Sequence, residues 1–204
     1  MQITIPKHLH KAFCTHAAKP NGNLVPLNGI CVEIENGRVI LAVSDTHRIV
    51  CFSPLLRIPE EIAEVKALPN SRVVLTVAAF KGRSSKYAGD FKVNLDAIRA
   101  DEQIEGLFPR YRECIPASCD RVGVSFGGNT GEAIIELNDG IDLNYALAAL
   151  PVLEHIGTQT LTQTEQNAAY LAERGARPWS APAGTVEEYA AIVIMPVRCR
   201  KEQS

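Results

Sequence analysis

An α+β fold built from repeated strand-helix-strands units is the class this 204-residue sequence predicts. Three observations carry that expectation. A short apolar strand, a helix and then alternating apolar strands recur about three times along the chain. Asn36-Gly37 lies between two alternating apolar runs, a strong short-range hairpin signal. Leu143 to Ile156 repeats leucine at helical spacing before a stop at Gly157. Composition agrees: 46% apolar and 22% charged residues with a net charge of −2 suit a packed core and exclude disordered, collagen-like and fibrous classes. The longest apolar run, Ala190 to Val197, falls far short of the roughly 20 residues of a membrane helix. No basic-then-apolar leader opens the chain, so a cytoplasmic protein is expected. Cys14, Cys31, Cys51, Cys114, Cys119 and Cys199 contain no CxxC pair, which predicts reduced, mostly buried thiols.

Gln2 to Ile5 reads as a strand, and Pro6 opens a helix with Leu9, Ala12, Phe13 and Ala17 at helical spacing. Pro20-Asn21-Gly22-Asn23 ends it. Leu27 to Glu35 and Arg38 to Phe52 are the arms of the hairpin. Pro54 to Pro69 is a proline-punctuated connector, Arg72 to Val77 a strand, and Ala78 to Tyr87 a short helix ending at Gly89. Phe91 to Leu95 returns to strand, and Asp96 to Glu105 fits strand or helix equally. Val122 to Phe126 and Glu132 to Leu137 flank Gly127-Gly128-Asn129 as a second hairpin. The third helix, Leu143 to Ile156, sets Leu143, Leu147, Leu150 and Leu153 on one side, with Pro151 as a point of kinking. Thr158 to Thr164 is strand-like, Gln166 to Arg174 fits a helical insertion, and Tyr189 to Val197 is an apolar final strand.

Four motifs carry a family resemblance. Leu27-Asn28-Gly29 and Val43-Ser44-Asp45-Thr46-His47-Arg48-Ile49-Val50 resemble the Leu-Asn-Gly strand and the Ala-Thr-Asp-Gly-His-Arg-Leu-Ala stretch of the bacterial DNA polymerase III β subunit, the sliding clamp. Phe108-Pro109-Arg110-Tyr111-Arg112-Glu113-Cys114-Ile115-Pro116 resembles that family's Phe-Pro-Asp-Tyr-Arg-Arg-Val-hydrophobic-Pro segment. Tyr145 to Leu153 resembles its Tyr-x-Leu-x-x-Leu-x-x-Leu helix, and Val193-Ile194-Met195-Pro196-Val197-Arg198 its terminal Val-Val-Met-Pro-Met-Arg. The resemblance implies a DNA-clamp fold in shortened form. Residues 1–117 would be a clamp domain like the middle one, and residues 118–204 a half-domain like the C-terminal half of the last, with an insertion near 165–183.

The resemblance further implies a non-catalytic DNA polymerase accessory or processivity protein without cofactors, assembled as a homo-oligomer. It would bind clamp-binding peptides of polymerases and other replication or repair factors. Carried over by position, the pocket comprises Leu27, Ser44, Thr46, His47, Arg48, Ile49, Pro109, Cys114, Val193, Met195, Pro196, Val197 and Arg198. An apolar floor with adaptable methionine and a few polar rim groups suits a short peptide. Thr46 stands where the family has glycine, Arg110 where it has an acid, and Cys114 where it has valine or isoleucine. A non-encircling module of phage, plasmid or integrated-element origin that captures clamp partners is the alternative reading.

Sliding clamps touch duplex DNA through helices that face phosphates without reading bases. Lys7, Lys11 and Lys19 on the first helix and Lys81, Arg83 and Lys86 on the second would supply weak, non-specific contacts. The same residues equally fit the solvated side of amphipathic helices. Arg48 and Arg198 likewise fit either a pocket rim or anchors for carboxylates. Ser44, Asp45 and His47 hold the residue types of a hydrolytic triad, but four positions of one extended segment do not build one, and Asp45 reads as a turn residue. No cysteine or histidine pair has zinc spacing, so no metal is expected. Trp179, in the proline-rich stretch from Pro178 to Pro182, reads as a packing anchor for the insertion.

Overall fold

The computed structural model describes residues 1–17, 25–56, 59–87, 89–96, 99–116, 121–125, 143–163, 169–180 and 187–195. Strand β1 (Gln2–Ile5) alternates exposed and buried residues and hands over through Pro6 to α1 (Lys7–His16). Pro6 sits just ahead of the helix, where a missing N–H costs nothing. Leu9, Ala12 and Phe13 form the buried side of α1. Strands β2 (Gly29–Glu35) and β3 (Arg38–Ser44) join through Asn36 and Gly37, at φ 50° and 73°. Two successive left-handed residues give the tight turn whose twist matches a hairpin.

The expected arm from Arg38 to Phe52 is two strands, because Asp45 turns the chain before β4 (Arg48–Ser53). Its Oδ1 accepts the backbone N–H groups of His47 at 3.1 Å and Arg48 at 2.9 Å. The connector from Pro54 to Pro69 contains α2 (Pro59–Ala67), whose proline opens the helix and whose Glu60 and Glu61 suit its positive N-terminal end. Next come β5 (Ser71–Thr76) and α3 (Val77–Gly82), capped by Thr76 Oγ1 accepting from Ala79 N at 3.0 Å.

Helix α3 is shorter than the expected Ala78 to Tyr87. After Gly82 the chain pairs as β6 (Ser84–Tyr87) with β7 (Asp90–Asn94), so Lys86 lies on a strand rather than a helix. Within the Asp96 to Glu105 stretch, the described residues hold one 3-10 turn at Ala100–Glu102 and an isolated bridge of Gln103 to Leu75. Of the second hairpin, β8 (Arg121–Ser125) is present, while Glu132 to Leu137 lies outside the described residues. Helix α4 (Leu143–Ile156) runs continuously through Pro151. It ends with Gly157 at φ +81°, where Gly157 N donates to Glu154 O and Thr158 N to Leu153 O.

Two sequence expectations fail in this half. Among the described side chains the leucine side of α4 is buried only at Leu153, which joins Ala146, Ala149, Val152 and Ile156 among the buried residues, whereas Leu147 and Leu150 remain 45% and 37% exposed. Small alanines let the helix approach the sheet closely. The segment from Gln166 to Arg174 is no helix where it is described. Between β9 (Thr160–Gln163) and β11 (Tyr189–Ile194), Tyr170–Arg174 forms β10, hydrogen-bonded on both sides. Ladder partners on both edges outweigh local helical preference.

The described strands form a three-stranded sheet, β1-β7-β6, and an eight-stranded sheet, β5-β2-β3-β4-β11-β10-β9-β8. The larger order reads symmetrically about the β4/β11 junction, where Ile49 pairs with Val193 and Cys51 with Ala191. Helices α1 and α4 lie side by side over this junction and touch at both ends of α1: His16 Nε2 donates to Ala148 O at 3.0 Å, and the His8 and His155 rings lie 5.2 Å apart. One core fills the space between these helices and the sheet, with Leu41, Val50, Phe52, Ile192 and Ile194 among its members. A second core covers the opposite face, where Phe108, Tyr111 and Ile115 lie over Ile40, Cys51, Ala191 and Val193. Burial on both faces explains why β3 is apolar from Val39 to Val43 and β11 carries no charged residue.

Candidate functional site

Side-chain alternation along β4 and β11 decides which face each candidate residue serves. Ile49 and Val193 face away from the helices and are 5% and 1% exposed. Leu27, at the 3-10 turn Val25–Asn28 before β2, joins them in the same apolar cluster, with Met195 and Cys114 half-buried at its margin. Ser44 is buried and its Oγ accepts from Thr46 N at 3.3 Å. Thr46 and His47 are exposed on the β3/β4 turn, and Met195 N donates to His47 O at 2.7 Å, tying the end of β11 to that turn. Pro109 is exposed beside the buried Phe108. Five of the predicted pocket residues therefore share one cluster: Leu27, Ile49, Cys114, Val193 and Met195. Pro196, Val197 and Arg198 lie outside the described residues.

Arg48 departs from the others. Its neighbour Ile49 faces outward, while its guanidinium lies 4.6 Å over the Tyr145 ring of α4. Asp45 Oδ2 accepts from Arg48 Nε at 2.8 Å and also contacts its terminal nitrogen. The arginine is thus an anchor for a carboxylate and an aromatic ring. Tyr145, quoted in a motif but not among the candidate site residues, also stacks on His47 at 5.5 Å. Contact across the sheet junction brings it there, and no spacing within the chain announces it. Asp45 is spent on Arg48 and on backbone N–H groups, so Ser44, Asp45 and His47 do not form a relay.

The segment carrying Pro109 and Cys114 is fastened by a buried carboxylate. Glu33, 7% exposed on β2, accepts from the Tyr111 hydroxyl at 2.7 Å and pairs with Arg72 at 2.6 Å and Arg112 at 2.8 Å. Burial raises its pKa, but the Tyr111 hydrogen bond and the two arginines outweigh burial and hold the carboxyl below its ordinary range. Arg112 also contacts Glu35 and lies 5.3 Å over Trp179, whose ring meets Tyr111 and Tyr189 edge-on. Trp179 thereby packs the stretch after β10 onto the outer face. Burial pushes the Cys31 thiol up to about 12 and Cys51 well above its ordinary value, so both are inert packing groups.

On the helix side, Lys7 and Lys11 of α1 and Lys81 of α3 line one open groove with His8, His10, Pro151 and Glu154. Lys86 is exposed on β6, Arg83 is paired with Glu102, and Lys19 lies outside the described residues. Helix α4 presents Leu147 and Leu150 beside this groove and no lysine or arginine. Among the described residues no three His, Cys, Asp or Glu side chains form a metal-binding group, and no helix is long and apolar enough to cross a membrane.

No protein-family model matches the chain, and no curated protein does. Solved structures do. The DNA polymerase sliding clamp of Pseudomonas aeruginosa superposes with a TM-score of 0.55 at 15% identity, over 98% of this chain and 67% of that one. The Bacillus subtilis sliding clamp gives 0.55 at 16% identity, over 98% and 64%. The Helicobacter pylori β clamp bound to a DNA ligase peptide gives 0.55 at 11% identity, over 96% and 65%. This chain spans about two thirds of the length of these clamps. Its architecture of mixed helices and antiparallel sheets is the sliding-clamp fold.

Proposed function

We propose that this chain is a non-catalytic, clamp-like accessory protein of DNA polymerase that receives short hydrophobic peptides of replication or repair proteins on the outer face of its eight-stranded sheet. The observation that carries this reading is the β4/β11 junction. It joins two sequence-distant motifs, so that Leu27 and Ile49 from one and Val193 and Met195 from the other belong to a single apolar cluster with a half-buried margin. A preformed apolar floor with few placed polar groups is the chemistry a short peptide needs. The likeness to a clamp bound to a DNA ligase peptide supports the same reading. Pro109 and Cys114 border the floor, the turn that carries Thr46 and His47 is tied to its Met195 end through the His47 carbonyl, and Pro196, Val197 and Arg198 continue from Met195 along the chain.

Lys7, Lys11 and Lys81 supply the contacts to duplex DNA, with Lys86, Arg83 and Lys19 as outlying contributors. Because α4 adds no cation, that contact is weak, sequence-independent and lost at raised salt. Encirclement of the duplex requires assembly with further copies of the chain.

Fluorescence polarisation with a labelled Gln-x-x-Leu-Phe-type peptide tests the peptide site. Saturable binding by the wild type, weakened at least about tenfold in the Met195→Ala, Arg198→Ala double variant, is the expected result. A folded wild type that does not bind overturns the reading.

A further inference from the structure

Cys114, at the margin of the proposed peptide floor, sits on a turn that its own backbone hardly holds. Tyr111–Cys114 is a single 3-10 turn, closed by Glu113 N donating to Arg110 O and Ile115 N to Arg112 O. A turn of that length has little stability of its own. Its first half is fastened by Glu33, through the Tyr111 hydroxyl and Arg112. Its second half is fastened by a stretch distant in the chain.

That stretch leaves β10 through Gly175 at φ +83°, where a Cβ would stand 1.9 Å from Glu188 O, so this close exit requires glycine. The exit brings residues 177–180 onto the turn. Arg177 Nη2 donates to Pro116 O, two residues beyond Cys114, and the Trp179 ring lies against Arg112, two residues before it. Cys114 is thus bracketed from both sides. Arg177 is itself aimed: Glu173 accepts from its Nε and Nη2, each at 2.9 Å, and also from the Tyr189 hydroxyl at 3.1 Å. A guanidinium held at two points by one carboxylate is fixed in direction as well as in place.

We propose that Arg177 and Trp179 are positioning residues for the peptide site: from the stretch after β10 they hold Cys114 where it borders the floor, so that this margin is formed before a peptide arrives. Neither residue needs to touch the peptide. This rests on the peptide-site reading above. A wall ordered in advance loses less conformational freedom on binding, so loosening it weakens affinity without removing a contact.

Two measurements test the pair: fluorescence-polarisation titration with the labelled Gln-x-x-Leu-Phe-type peptide, and the rate of maleimide labelling at each cysteine, read by mass spectrometry after digestion. Arg177→Ala should weaken peptide binding about fivefold and speed labelling of Cys114 by a similar factor. Labelling of the half-buried Cys14 should not change, and the buried Cys31 and Cys51 should stay unlabelled. Trp179→Ala should act in the same way, and Trp179→Phe, which keeps a ring against Tyr111 and Arg112, should restore both readouts. Peptide affinity unchanged in both alanine variants, or labelling that rises at Cys31 and Cys51 together with Cys114, overturns the positioning role while leaving the peptide site standing. Failure of the folded wild type to bind the peptide overturns both.

Discussion

Thr46 illustrates how a single residue carries the strain of a turn. It adopts φ +79°, a left-handed conformation that crowds a β-branched side chain. The clamp-like motif has glycine at this position, and the turn geometry supplies the physical reason. The Asp45 carboxylate, bonded to the N–H groups of His47 and Arg48, holds the turn despite the strain. Thr46→Gly should therefore stabilise the protein by about 1 kcal/mol, read as a raised midpoint in thermal or denaturant unfolding. A lowered midpoint would show that the threonine is not strained. The substitution was legible in the sequence, but the sign of φ was not. Arg48 shows the opposite limit: its motif left a pocket rim and a carboxylate anchor both open, Asp45 and the Tyr145 ring engage it, and only the folded arrangement brings Tyr145 within reach.

At the scale of elements, the joint between α1 and α4 is sensitive to acid. His16 is 1% exposed, with Nε2 donating to Ala148 O and the Arg48 and Asp45 charges facing it from the β3/β4 turn and β4. Burial first, then Arg48, lowers its pKa to about 4 from 6.5. The unfolded chain thus takes up this proton more readily than the folded one. The stabilisation linked to neutral His16 is complete above pH 6.5 and is lost as the pH falls towards 4, by about 3 kcal/mol in all. His8, across α1, is also shifted down, chiefly by burial and by His155. Denaturant midpoints should fall between pH 7 and pH 4.5, and His16→Gln, which keeps a donor for Ala148 O, should flatten that fall. An unchanged slope in the variant would rule out His16 as its source. Existence of both helices was readable from their apolar spacing. Which side of α4 is buried was not, because leucine spacing describes an available stripe, whereas close approach to the sheet selected the alanines.

For the whole molecule, the consequence of the β4/β11 junction is cooperativity. Strand β11 is hydrogen-bonded to β4 on one side and β10 on the other, and all six of its residues are buried. One core contains residues of α1, α4 and strands from both halves of the large sheet. Unfolding followed by Trp179 fluorescence and by far-UV circular dichroism should therefore coincide in one transition. Ile192→Pro, which removes a ladder donor at the centre of β11, should lower both signals together by about 3 kcal/mol or more. Two separated transitions would mean that residues 1–117 and 118–204 behave as independent folding units.

The sequence by itself determined the α+β class, the Asn36-Gly37 hairpin, the glycine-stopped third helix and the order of the clamp-like motifs. These depend on local periodicity, turn chemistry and residue identity, which act over a few neighbouring positions. Only the tertiary structure decided that Tyr170–Arg174 is a strand, that β4 and β11 share an edge, and that Arg48 turns towards α4 while Ile49 and Val193 turn away. Strand pairing and the burial of one sheet face against another element are set by partners distant in the chain, and no local pattern specifies which partner satisfies a given backbone edge.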